Sequence, residues 1–145
     1  MKKTGAGILY TDGKTVLLLY RSEYVKAHSF TWAPTGGSIE DGEDLLEAAK
    51  RESLEEIGVF KGKQIAEFPQ DKFAMFIFKV SKPFDVELNN EHRTSKWVAF
   101  EDVENYDLHP NFKKEWPKYL RAIEKYNHSF NEWVTQNKDS HRLFP

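Results

Sequence analysis

The sequence predicts an α/β fold, and three observations point to it. Short apolar runs alternate with polar turns, one central segment has strong helical spacing, and a second helical pattern follows late in the chain. A chain of 145 residues is expected to form one domain with a sizeable core.

Two strands joined by a tight turn are predicted at the start of the chain. Residues 4–10 and 15–20 are apolar, and the Asp-Gly pair between them is a strong hairpin signal. Residues 21–31 are polar and predicted to form a loop. Trp32 then begins a short segment that leads into a pair of glycines.

Three more strands are predicted after the central helix. Residues 64–68 and 73–80 are rich in Phe and Ile, and the segment 69–71 (Pro-Gln-Asp) between them is typical of a turn. Residues 95–100 are predicted to form another short strand, which ends in Phe. These runs complete the set of strands expected for the sheet.

A late helix is predicted over residues 111–126, where aromatic and aliphatic residues recur at helical spacing. Asn111 is the expected N-cap, and Pro117 then has to lie in the first turns or break the helix. The tail from Asn127 is polar with scattered aromatics, and we expect it to be a helical extension or a loose segment.

The central helix carries the strongest indication of chemistry. Glu52, Glu55 and Glu56 have i, i+3 and i+4 spacing, which places them on one helix face. Like charges at this spacing repel one another, and a hard cation such as Mg²⁺ or Mn²⁺ would convert that repulsion into a binding site. These three residues alone leave a solvated acidic face open as the alternative. The predicted buried stripe of this helix consists of Leu45, Ala49, Ser53 and Ile57, with Leu46 beside it.

The same segment contains a longer pattern. It reads Gly37, five residues, Glu43, seven residues, Arg51-Glu52, then Glu55-Glu56, Gly58 and Val59. This arrangement resembles the signature of the Nudix hydrolases, and only Ser53 departs from it, at a position where the family has an aliphatic residue. The resemblance covers roughly residues 4–126. It implies a Nudix fold, a mixed β-sheet sandwiched between α-helices, and a Nudix domain over residues 1–127 followed by a tail at 128–145.

The resemblance also implies roles for individual residues. Glu52, Glu55 and Glu56 are the expected metal ligands, assisted by the Gly36 carbonyl and by Glu91, an acid shortly before Trp97. All four glutamates are candidate catalytic residues, with Glu52 as a ligand that orients water and Glu91 as the general base.

The remaining residues of the predicted site handle the substrate and support the loop. Gly37, beside Gly36, lets a phosphate approach the backbone closely. Arg21 resembles the arginine with which many relatives contact phosphate, although a solvated strand-end arginine is an equally good interpretation. Glu43 and Arg51 are expected to brace the loop against the helix and to support the site structurally.

The implied activity is metal-dependent hydrolysis of a pyrophosphate bond in a nucleoside diphosphate derivative, by water attack on phosphorus. A nucleoside triphosphate, a dinucleoside polyphosphate and a nucleotide sugar all remain open as substrate. The alternatives are removal of pyrophosphate from an RNA 5′ end and a non-catalytic nucleotide sensor. Homodimerisation is possible.

The composition argues against several other classes of function. The net charge of −2 gives no sign of bulk binding to nucleic acid. The absence of cysteine excludes disulfides, zinc–thiolate sites and a thiol nucleophile, and it fits a cytoplasmic enzyme. No signal peptide or membrane helix is predicted. The five histidines show no metal-binding spacing, so we predict that each lies on the surface or in a loop.

Overall fold

A computed structural model describes residues 4–70 and 72–137 of the chain. Its seven strands form one mixed sheet with the path β3-β2-β1-β6-β5, while β4 pairs with β1 and β7 pairs with β2. The strands are β1 Gly5–Thr11, β2 Thr15–Arg21, β3 Trp32–Ala33, β4 Thr35–Ser38, β5 Lys63–Pro69, β6 Phe73–Lys79 and β7 His92–Ala99. The helices are α1 Leu45–Ile57 and α2 Pro110–Gln136, with a short 3₁₀ helix at Phe100–Asn105.

The sheet separates two apolar cores, which confirms the predicted sandwich of helices around a mixed sheet. One core lies against α1 and contains Ile8, Tyr10 and Phe76, and the other lies against α2 and contains Leu9 and Trp116. Neighbouring residues of β1 point to opposite cores because side chains alternate across a strand. The pair β1–β6 is parallel, and every other pair in the sheet is antiparallel.

The predicted first hairpin is present. The Asp12 carboxylate accepts hydrogen bonds from the backbone N–H groups of Lys14 and Thr15, at 2.9 and 2.7 Å. Gly13 has a φ of +96°, a conformation that favours glycine. Asp71, the last residue of the second predicted turn, lies outside the described residues.

Helix α1 begins and ends where its sequence signals indicate. Asp44 is the N-cap and forms a capping box with Glu47. The helix stops at Gly58, which has a φ of +79° and donates its N–H to the Leu54 carbonyl. One part of the predicted stripe is wrong, because Leu46 is 38% exposed and Ala48 is buried instead.

Helix α2 differs from its prediction at its start, and beyond residue 126 it continues as one of the two alternatives expected for the tail. Its N-cap is His109, whose Nδ1 accepts from the N–H of Asn111, so Asn111 lies inside the first turn. Pro117 is in the helix interior without ending it, and the helix continues to Gln136. The predicted domain boundary after residue 127 therefore falls inside a continuous helix, and residues 138–145 lie outside the described part of the chain.

No helix within the described residues is both long and apolar enough to cross a membrane.

Candidate functional site

Three glutamates converge beside β4. Glu52 and Glu56 come from α1 and Glu91 comes from the loop before β7, and one carboxylate oxygen of each lies within 4.8 Å of the others. Glu52 is 8% exposed and Glu56 is 3% exposed, so two acids are almost completely removed from water. Such a burial of like charges is costly unless something compensates it.

Glycines of β4 allow α1 to approach the sheet closely enough to bury these acids. The Gly36 N–H donates to Glu56 Oε1 at 2.9 Å. A Cβ atom at Gly37 would collide with the Glu52 carboxylate. A side chain at position 37 would therefore displace Glu52, which gives this glycine a steric role in forming the site.

Glu91 is brought to the site by a well-connected loop. The Asn89 N–H donates to the Glu56 carbonyl at 3.3 Å, which ties the loop to the end of α1. Asn89 Oδ1 accepts from the Glu91 N–H at 3.1 Å, and the Ser22 N–H donates to the Glu91 carbonyl at 2.8 Å. The Glu91 side chain is half-buried and receives one long hydrogen bond, from Asn89 Nδ2 to Oε1 at 3.4 Å.

The environment raises the pKa of both helical acids. Burial raises the pKa of Glu56 well above its ordinary value, with a further increase from Glu52 and Glu91 that the Gly36 hydrogen bond opposes. Burial also raises the pKa of Glu52, against the effect of the neighbouring Arg51 guanidinium. The negative charge of the cluster is thus not fully balanced by nearby cationic side chains. Its carboxylate oxygens are hard donors of the kind that Mg²⁺ and Mn²⁺ prefer.

Arg51 connects the helix to the loop before it. Its Nε donates to Glu43 Oε2 at 2.7 Å, and its Nη2 donates to the Ser38 carbonyl at 2.8 Å. The hydrogen bond between the two side chains lowers the pKa of Glu43 and raises that of Arg51. Arg51 Nη1 also contacts Glu52 and Glu55, at 3.1 Å each.

Glu55 is not part of the converging group. Its side chain is 50% exposed and pairs with Arg51, one helix turn earlier. On an α-helix a residue at i+4 lies closer to the direction of residue i than one at i+3, so Glu56 and not Glu55 follows Glu52 into the cleft. The role of Glu55 as a metal ligand stays a prediction.

Arg21 lies at the edge of the cluster. Its guanidinium donates to two carbonyls of the following loop, from Nη2 to Ala27 at 2.8 Å and from Nε to His28 at 3.2 Å. Burial lowers the pKa of Arg21, and attraction to Glu56 and Glu91 partly restores it. Arg21 Nη1 donates no hydrogen bond to the described residues, so its N–H groups can donate to a ligand.

A cavity of about 610 Å³ opens beside Arg21 and Gly36 and extends to α2. It is lined by apolar and polar side chains and by the backbone around β4: Arg21, Ala33, Pro34, Thr35, Gly36, Gln70, Lys72, Phe73, Met75, His109, Asn111, Phe112, Lys114, Glu115 and Lys118. The α2 side of this cavity was not predicted from the sequence. The sequence feature that could have indicated it is Glu115, an acid among the aromatic residues of an otherwise apolar face of α2.

His92 contradicts the prediction of surface or loop histidines. It is the first residue of β7 and only 6% exposed, and its Nδ1 has no hydrogen-bond partner among the described residues. Burial, with the neighbouring Arg21 charge, lowers its pKa to about 4. The prediction failed because β7 begins three residues earlier than the sequence indicated.

Comparison with known proteins gives the same family as the motif. The model of the NUDIX domain matches residues 1–120. A bis(5′-nucleosyl)-tetraphosphatase (asymmetrical) of Caenorhabditis elegans is 30% identical over 103 residues, which are 63% of this chain and 72% of that protein. The nucleoside triphosphatase NudI of Escherichia coli O81 is 33% identical over 101 residues, 57% of this chain and 72% of that protein. The crystal structure of the Nudix hydrolase RenU from M. smegmatis covers 86% of this chain and 88% of its own, with a TM-score of 0.69 and 21% identity.

Proposed function

This chain belongs to the Nudix family of pyrophosphohydrolases, and from that membership we propose that it hydrolyses the pyrophosphate bond of a nucleoside diphosphate derivative in a reaction that depends on a divalent metal. The observation that carries the proposal is the convergence of Glu52, Glu56 and Glu91. Their oxygen donors suit Mg²⁺ or Mn²⁺, and the Gly36 carbonyl and Glu55 are proposed as further ligands. When bound, such an ion neutralises phosphate charge and lowers the pKa of a coordinated water.

Glu52 and Glu91 are the two candidates for the general base, and their surroundings differ. Glu52 is already engaged by Arg51 Nη1 at 3.1 Å, which holds its carboxylate in place. Glu91 is less buried, and within residues 4–70 and 72–137 its carboxylate accepts only the long hydrogen bond from Asn89. We therefore assign to Glu91 the removal of the proton from the attacking water, and to Glu52 the binding and orientation of that water.

Glu56 has a different part in the site. It is the most buried of the three acids, and its carboxylate is fixed by the Gly36 N–H. A group held so rigidly and so far from water suits a ligand that stays in place through the reaction.

Arg21 and Gly37 are proposed to bind the phosphates. Arg21 is held by two loop carbonyls, so its charge is preorganised beside the cluster at little further entropic cost. Gly37 presents backbone without a Cβ at the same place. The cavity between Arg21 and α2 then receives the nucleoside.

The test is a panel of substrates with and without divalent metal. It contains nucleoside triphosphates, diadenosine polyphosphates, ADP-ribose, sugar nucleotides and 5′-triphosphate RNA, each assayed with Mg²⁺, Mn²⁺ or EDTA. We expect one group to be hydrolysed with metal and not with EDTA. We expect Glu56→Gln to lose at least about a hundredfold in kcat, because a buried ligand contributes several kcal/mol to charge stabilisation.

A matched control is Glu124→Gln, since Glu124 is an exposed acid on α2 away from the cluster. It should retain wild-type turnover. Metal-independent turnover, or an equally active Glu56→Gln, would contradict the proposal.

A further inference from the structure

The cavity beside the cluster ends at a buried acid that the proposed chemistry does not use. Glu115 of α2 is 5% exposed and lines the cavity. Its Oε2 contacts Lys118 Nζ at 3.2 Å and Gln70 Nε2 at 3.5 Å. Charged side chains are seldom buried unless they are paired or needed for function.

The packing of α2 does not require a charge at this position. Glu115 is on the helix face that carries Phe112, Trp116 and Tyr119, all of which are buried in the second core. An apolar residue of similar volume would fit such a face at least as well. Among the described residues, the polar contacts of the Glu115 side chain with Lys118 and Gln70 both involve Oε2 and not Oε1.

The cavity sets the orientation of a substrate. Its near end is at Arg21 and Gly36, where the proposed function places the phosphates, and its far end is at α2. The wall between carries Phe73, which is half-buried and offers a ring against which a flat base can stack. A nucleotide with its phosphates at the cluster therefore directs its base toward Glu115.

We propose that Glu115 and Lys118 read the edge of the base and select guanine, an inference that rests on the proposed function. The ammonium of Lys118 is a donor beside the carboxylate of Glu115, which is an acceptor. The edge of guanine offers one acceptor, O6, followed by two adjacent donors, N1–H and the 2-amino group. Adenine, cytosine and uracil lack this combination. Lys118 donates to O6, and the Glu115 carboxylate accepts from the two N–H groups.

The test compares guanine, hypoxanthine and adenine nucleotides with Mg²⁺. It uses GTP, ITP and ATP, together with the three corresponding dinucleoside tetraphosphates. Hypoxanthine lacks only the 2-amino group of guanine, so the ratio of kcat/KM between the two reports that single contact. We expect the wild type to prefer guanine over hypoxanthine by about tenfold or more, as for a hydrogen bond to a charged group.

Two variants separate the two members of the pair. Glu115→Gln should bring the guanine-to-hypoxanthine ratio close to one, through a higher KM for guanine with kcat nearly unchanged. Lys118→Met should lower kcat/KM for guanine and hypoxanthine alike relative to adenine, because both carry O6. Glu124→Gln, on the exposed side of the same helix, should alter none of these ratios.

The outcomes distinguish this inference from the function on which it rests. If the wild type hydrolyses nucleotides without preferring guanine, or if Glu115→Gln leaves the ratio intact, base reading is refuted and the hydrolase stands. If Glu115→Gln does not fold, an unchanged base preference in Lys118→Met refutes the inference. If none of these nucleotides is hydrolysed while another group of the substrate panel is, this inference is refuted and the hydrolase stands. Absence of hydrolysis throughout the whole substrate panel refutes the proposed function and this inference together.

Discussion

Ser53 is the one residue that departs from the family signature, and the structure supplies a reason for it. Its hydroxyl lies 2.7 Å from the Tyr10 hydroxyl and donates to the Val59 carbonyl at 2.6 Å. All of Ser53 and nearly all of Tyr10 are buried. A buried tyrosine hydroxyl on β1 needs a polar partner, and Ser53 meets that need while keeping α1 close to the sheet.

His92 leads to a prediction about pH. Its pKa of about 4 in the folded protein is below the ordinary histidine value of 6.5, so the unfolded chain binds more protons between these two values. The contribution of His92 to stability is complete above pH 6.5 and is lost as the pH falls toward 4. We expect the free energy of unfolding of the wild type to fall by about 2 kcal/mol more than that of His92→Gln between pH 7 and pH 5.

Urea unfolding of the two proteins at both pH values measures this difference. His109 has the same depressed pKa of about 4 and is present in both proteins, so its effect cancels. Parallel pH dependence of the two proteins would show that His92 is charged in the folded state.

At the scale of elements, α1 and β4 form the site together. The i, i+4 spacing of Glu52 and Glu56 and the glycines at 36 and 37 are both legible in the sequence, and so is the end of the helix at Gly58. The contact between these glutamates and these glycines could not be predicted from the sequence, since it depends on how closely the helix packs on the sheet. The sequence therefore indicated the acids of this helix face but did not show that Glu56 joins the converging cluster while Glu55 lies outside it.

Pro117 gives a prediction for α2. It has no N–H to donate to the Lys113 carbonyl, yet the helix continues for nineteen residues beyond it to Gln136 because Phe112, Trp116 and Tyr119 anchor the helix on the sheet. Pro117 is exposed, so Pro117→Ala restores a backbone hydrogen bond without disturbing the core. We expect the variant to be more stable by about 1 to 2 kcal/mol, after allowing for the greater entropy of its unfolded chain.

Chemical denaturation of wild type and Pro117→Ala checks this expectation. Lys125→Ala, at an exposed position of the same helix, controls for the helix propensity of alanine. A less stable Pro117→Ala would mean that the fixed backbone of proline outweighs the missing hydrogen bond.

At the scale of the whole molecule, the site depends on residues that are far apart in sequence. Glu91 reaches Glu52 and Glu56 because β7 pairs with β2 at the sheet edge and the loop before β7 is tied to Ser22 and to the end of α1. Local patterns predicted most strands and both helices. They did not predict the start of β7, the burial of His92 or the acid of α2 in the cavity, because those follow from long-range pairing. Homodimerisation stays a prediction.

Whether the cluster holds the metal is best decided by Mn²⁺ binding, monitored through the electron paramagnetic resonance signal of the free ion. We expect Glu52→Gln, Glu56→Gln and Glu91→Gln each to weaken binding by about tenfold or more, as loss of one carboxylate ligand does, and Glu124→Gln to bind as the wild type does. Wild-type affinity in all three cluster variants, with the fold intact, would contradict the claim that this cluster holds the metal.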